Sequence, residues 1–120
     1  MPNGTGFATV TVANSPVGFT YVGSGATLAL AIGFIPTAVR FRAGTLGWEW
    51  YRGLGFGEAY NTSSPTEALI ATGGVLDVLD GSGNATANVA TTSQVIGLLI
   101  GTNTHINNGG AIVYRGLAFR

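Results

Sequence analysis

Thr37-Ala38-Val39-Arg40-Phe41-Arg42-Ala43-Gly44-Thr45-Leu46-Gly47-Trp48-Glu49-Trp50-Tyr51-Arg52 holds two alternating runs joined by a short link. In the first, Val39 and Phe41 point one way while Arg40 and Arg42 point the other. In the second, Leu46, Trp48 and Trp50 share a face, with Glu49 and Tyr51 near the opposite one. A period of two is that of a strand buried on one side. Gly44 and Thr45 supply the connection, so the pair reads as a β-hairpin.

The same signal extends in both directions. Residues 26–32 set Leu28, Leu30 and Ile32 against Thr27, Ala29 and Ala31. Further strands are expected at 7–13, 17–22, 68–72, 75–79, 94–100 and 111–119. Asn14-Ser15-Pro16, Gly23-Ser24-Gly25, Gly73-Gly74, Asp80-Gly81 and Asn107-Asn108-Gly109-Gly110 lie between them and carry turn chemistry. The polar stretch 57–67 reads as a long surface loop, and residues 1–6 as a short flexible N-terminal arm. Twenty glycines spread among many threonines and valines disfavour helix. The expectation is a single all-β domain over residues 1–120, an antiparallel β-sandwich of eight or nine short strands with jelly-roll-like topology.

Charge is scarce. Only 8 % of residues are charged, the formal net charge is zero, and all the cations are arginine. An average soluble domain has about 25 % charged residues. A neutral surface with so little repulsion is suited to lying against other protein. No basic stripe is present to neutralise a run of phosphates, which argues against nucleic acid as a partner. No apolar run reaches membrane-spanning length, and the start lacks a signal-peptide pattern, so a soluble protein without classical export is expected.

The chemistry-bearing residues are too few and too scattered for a reaction centre. There is no cysteine and one histidine, His105, with no co-ligand near it in sequence. A hydrolase triad would need that same histidine, and it reads as an ordinary loop residue. Asp77 and Asp80 are the closest carboxylates, but three positions apart on a strand they face opposite sides. Asp80-Gly81-Ser82-Gly83-Asn84 lacks the later ligands of a calcium loop and reads as a glycine-rich turn. Trp48 and Trp50 have the spacing of a sugar platform, although their apolar flank favours the core. No catalytic residue, metal or cofactor is expected. The sequence Tyr51-Arg52-Gly53-Leu54-Gly55-Phe56 returns as Tyr114-Arg115-Gly116-Leu117-Ala118-Phe119, so two equivalent strands with matched arginines are one reading of the echo. Outward arginines on a charge-poor chain are anchors for a partner's carboxylates, which makes Arg40, Arg42, Arg52 and Arg115 the candidate protein-interface residues.

Ile32-Gly33-Phe34-Ile35-Pro36 leading into Val39-Arg40-Phe41, the run Trp48-Glu49-Trp50-Tyr51-Arg52, and the final Tyr114-Arg115-Gly116-Leu117-Ala118-Phe119-Arg120 together resemble the small β-sandwich structural proteins of tailed bacteriophages. The resemblance implies a capsid decoration, or cement, protein on the exterior of the virion. Its partners would be the major capsid protein and further copies of itself, as a trimer at local symmetry axes. A tail or fibre component, or a jelly-roll carbohydrate-binding or receptor-recognition module, is the alternative.

Overall fold

The computed structural model describes residues 16–63, 67–83 and 92–120. The expected arm at 1–6 and the expected strand at 7–13 lie outside the described residues. The strands are β1 (Val17–Val22), β2 (Leu28–Leu30), β3 (Ala38–Ala43), β4 (Leu46–Tyr51), β5 (Glu58–Asn61), β6 (Ala68–Asp80), β7 (Ile96–Ile100) and β8 (Val113–Phe119). No helix occurs among the described residues. Every strand pairing is antiparallel.

Hydrogen bonds run through all eight strands in the order β1-β8-β3-β4-β5-β6-β7-β2. Strands β3 to β7 form an unbroken meander, while the first strand pairs with the last and the second with the last but one. The hairpin read from the alternation is present, with Ala43 opposite Leu46 and Gly44 at φ +64°. A positive φ at the first central position suits a type II′ turn, whose twist matches the flanking strands.

Two expectations are corrected. Residues 68–72 and 75–79 are not two strands around a Gly73-Gly74 turn; they belong to one strand of 13 residues. It pairs with β5 from Ala68 to Ile70 and again at Val75, opposite Glu58, and from Val75 onward it also pairs with β7. Between Ile70 and Val75 the register with β5 shifts, and Gly73 takes φ +77°. The diglycine is therefore a bulge that turns the strand without ending it. The stretch 57–67 is not simply a surface loop, because Glu58–Asn61 within it forms β5. Strand β5 is polar at both ends and buries only Ala59 and Asn61, so it shows no apolar alternation.

The inward faces meet in one core, which includes Leu30, Val39, Phe41, Trp48, Trp50, Val75, Leu98, Ile100, Ile106 and Tyr114. Residues from both flanks of the sheet, Tyr21 on β1 and Leu30 on β2, belong to it, so the sheet rolls around a shared interior. Tyr21 stacks on Tyr114 with centroids 4.8 Å apart and meets Phe41 edge-on at 5.1 Å. The Tyr21 hydroxyl accepts from Trp48 Nε1 at 2.7 Å and donates to the Ile106 carbonyl at 2.7 Å, tying β4 and the β7–β8 connection to β1. Gly116 lies opposite both Phe19 and Phe41, whose rings stand 6.2 Å apart. A side chain at Gly116 would collide with the Arg40 carbonyl, so strand approach there requires glycine.

Candidate docking face

The outward face of β8, β3 and β4 is set by the same alternation that fills the core. With Phe41 and Val39 directed inward, Arg40 and Arg42 are forced out and are exposed. On β8, Tyr114 points in and Arg115 out. Register then places Arg42 directly opposite Arg115, and Arg40 opposite Leu117 on one side and Glu49 on the other. Arg40, Arg42, Arg115, Glu49, Leu117 and Thr62 border a groove of about 350 Å³.

The charges in this groove are poorly balanced. Arg40 Nε lies 3.9 Å from Glu49 Oε2, with both side chains well exposed, a pairing of little energetic weight. That is the one ion pair among the described residues, so neither Arg42 nor Arg115 has a carboxylate within ion-pair distance. Like charges directly opposite on neighbouring strands are destabilising, by a few tenths to about 1 kcal/mol. Gly47, opposite Arg42, keeps the surface open: a Cβ there would stand 2.6 Å from Thr62 Oγ1 and 3.3 Å from Arg42 Nη1.

Apolar groups continue the face. Glu49 stands opposite Tyr60, and Tyr60 opposite Leu69, so Leu117, Arg40, Glu49, Tyr60 and Leu69 form a row across five strands. Leu117, Tyr60 and Leu69 are exposed by 39 %, 40 % and 48 %. Arginine and tyrosine among exposed apolar side chains is the composition that marks protein interfaces. Sequence reasoning missed Tyr60 and Leu69. The one signal for Tyr60 was its alternation with Ala59 and Asn61, both too small or too polar to read as a core face.

Of the four arginines singled out in the sequence, three come together and one does not. Arg52 follows β4 in the turn leading to β5, where its Nε donates to the Pro36 carbonyl at 3.3 Å. The sequence echo therefore has no structural counterpart: Arg52-Gly53-Leu54-Gly55-Phe56 is a turn, whereas Arg115-Gly116-Leu117-Ala118-Phe119 is strand β8. Tyr51 is exposed and Tyr114 fully buried, which removes any equivalence.

The remaining candidates fall as follows. Trp48 and Trp50 are buried, so neither offers an exposed ring to a sugar. Asp77 is fully buried and accepts from the Val78 amide, whereas Asp80 is exposed, so the pair diverges. Hydrogen bonds from the Ser82 side chain and backbone hold the Asp80 carboxyl below its ordinary range, with Gly81 and Gly83 at positive φ forming the turn. His105 Nδ1 lies 3.4 Å from Ser63 Oγ, a hydroxyl that also accepts from the Gly47 amide at 3.1 Å. Among the described residues there is no cluster of three metal-binding side chains and no helix long and apolar enough to cross a membrane. The chain matches no protein-family model, no curated protein and no solved structure.

Proposed function

We propose that this chain is a non-enzymatic virion structural protein, a capsid decoration (cement) protein that docks on the exterior of a mature phage head through the outward face of β8, β3 and β4. The observation that carries this reading is Arg42 opposite Arg115 with no carboxylate between them. A chain so poor in charge spends two of its few cations on a repulsive pair, a cost that a partner's carboxylates reverse by bidentate contact. Tyr60, Leu69 and Leu117 supply apolar contact beside them. The partner is the major capsid protein, presenting an acidic segment, and the protein binds as a homo-oligomer, a trimer. The class of partner comes from the resemblance to phage structural proteins; the chemistry of the contact comes from the face.

Many copies binding only the mature shell stabilise it by mass action, because a ligand selective for one state lowers that state's free energy. The fold supports a rigid platform for this. We take the roll as a sandwich-like pair of layers, β1-β8-β3-β4-β5 and β7-β2, with β6 crossing between them at the Gly73-Gly74 bulge. The nesting of β1 with β8 and β2 with β7 supports the jelly-roll-like reading, while the β3–β7 meander departs from it. The carbohydrate-module alternative loses its best feature with the burial of both tryptophans.

The test is co-sedimentation of the purified chain with shells of the encoding phage that lack it, before and after expansion. Saturable pelleting with expanded shells alone is expected. Absence of pelleting with both forms overturns the capsid reading and leaves the tail or fibre as the place to look.

A further inference from the structure

Arg42 and Arg115 face each other across β3 and β8, and the positions flanking them offer no counter-charge. Thr20 stands opposite Arg115 on β1, and Gly47 opposite Arg42 on β4. Residues directly opposite on antiparallel strands have Cα atoms roughly 4.5–5.5 Å apart, so both guanidiniums are within reach of one small ligand. All the side-chain carboxylates of the chain, Glu49, Glu58, Glu67, Asp77 and Asp80, are among the described residues, and Glu49 alone comes within ion-pair distance of an arginine.

The surface beside Arg42 is kept open for a third donor. Thr62 Oγ1 and Arg42 Nη1 stand 2.6 and 3.3 Å from the point that a Cβ at Gly47 would occupy, so hydroxyl and guanidinium converge on one spot. The Thr62 amide donates to the Gly47 carbonyl at 2.9 Å and holds the residue there. Thr62 and both arginines border the same groove of about 350 Å³. Its charged groups are Arg40, Arg42, Arg115 and Glu49, a formal excess of two positive charges. Arg40 lies 3.9 Å from Glu49, which leaves the excess on Arg42 and Arg115.

We infer that Arg42, Arg115 and Thr62 form a binding site for a tetrahedral dianion, a phosphate group borne as the free ion or on a small monoester. Two charges on one group match the excess, whereas a lone carboxylate answers one arginine and leaves the other unbalanced. The guanidinium forks donate to phosphate oxygens in parallel pairs, and the hydroxyl donates to another. Exposed Leu117, on the rim, would carry the organic part of an ester. The site shares its arginines with the docking face but does not rest on the capsid reading. It is tested on the free chain, so failure of either proposal leaves the other standing.

The probe is inorganic phosphate at mildly alkaline pH and fixed ionic strength. Binding is followed through the arginine Nε–H signals of the uniformly ¹⁵N-labelled protein, assigned by single Arg→Gln variants. Saturable movement of the Arg42 and Arg115 signals, with those of Arg52 and Arg120 unmoved, is expected. Arg115→Gln weakens binding roughly fivefold or more, as loss of a charge-assisted contact does, and Thr62→Val roughly twofold. Glu49→Gln, which removes the groove's one anion, tightens it. Acetate, a monoanion, binds more weakly than phosphate by about fivefold or more. Phenyl phosphate separates the two sources: a gain over inorganic phosphate assigns an ester lying on Leu117, and no gain assigns the free ion. Movement of all the arginine signals together, without saturation, is screening alone and overturns the site. Unchanged affinity in Arg115→Gln does the same, and acetate binding as tightly as phosphate overturns the dianion assignment.

Discussion

Asn107 shows how far one side chain can carry a connection. It is fully buried, and its Nδ2 donates to the carbonyls of Ala26 and Gly101 at 2.6 and 2.8 Å. Its Oδ1 accepts from the Ser24 and Gly25 amides at 2.6 and 3.2 Å. The β1–β2 loop is thereby stitched to the β7–β8 connection, and the start of that connection at Gly101 is held by the same side chain. Asn107→Ala leaves several of these groups unpaired and is expected to destabilise the fold by about 3 kcal/mol, measured by urea unfolding. The sequence placed Asn107 in a turn, which is correct, but turn chemistry does not reveal that the side chain faces inward. Tyr21 offers a second residue-scale prediction. Burial pushes its phenol far above the ordinary range, outweighing the opposing hydrogen bond from Trp48. Tyr114 is raised too, mainly by burial. Above about pH 10 an unfolded tyrosine ionises while these two keep their protons. Their contribution to stability is thus complete below about pH 10 and falls as pH rises further. Thermal unfolding followed from neutral pH to about pH 11 checks the sign, and a melting temperature that rises over the alkaline range contradicts it.

Among the elements, legibility followed the apolar alternation. Strands β3 and β4 were readable because large apolar residues alternate with charged ones, and the Gly44-Thr45 link has few other uses. Strand β5 was hidden because its inward positions are Ala59 and Asn61, neither of which reads as core. Strand β6 was divided because a glycine pair carries the same local signature in a turn and in a bulge; the distinction lies in what pairs on either side. A Cβ at Gly74 would stand 2.5 Å from the Glu58 carbonyl carbon and oxygen, so β5 presses against the bulge. Gly74→Ala is expected to cost at least about 2 kcal/mol in chemical denaturation. A stability within about 0.5 kcal/mol of the parent would show that the corner is looser than drawn. The arginine site was legible in part for the same reason: outward orientation of Arg40, Arg42 and Arg115 follows from strand period, but the opposition of Arg42 and Arg115 needs the β3–β8 pairing. Arg52 lies apart from the other three because its copy of the repeated sextet is a turn, and the repeat alone cannot say which copy is strand.

At the scale of the whole molecule, a chain poor in charge concentrates three of its five arginines on one face with a single carboxylate among them. If the repulsion between Arg42 and Arg115 is retained for a partner, stability and binding should respond to its removal in opposite directions. Arg115→Glu places a carboxylate opposite Arg42 and is expected to raise stability by a few tenths to about 1 kcal/mol in urea. The same substitution should weaken docking, since it puts a negative charge where the partner's carboxylates would sit. The most direct measurement is therefore the saturation curve of Arg115→Glu beside the parent chain on expanded shells. Tight, saturable binding is expected of the parent, and a loss of at least roughly tenfold in affinity of the variant, about 1.4 kcal/mol or more. Equal binding of the two chains would contradict the assignment of the β8-β3-β4 face as the docking surface.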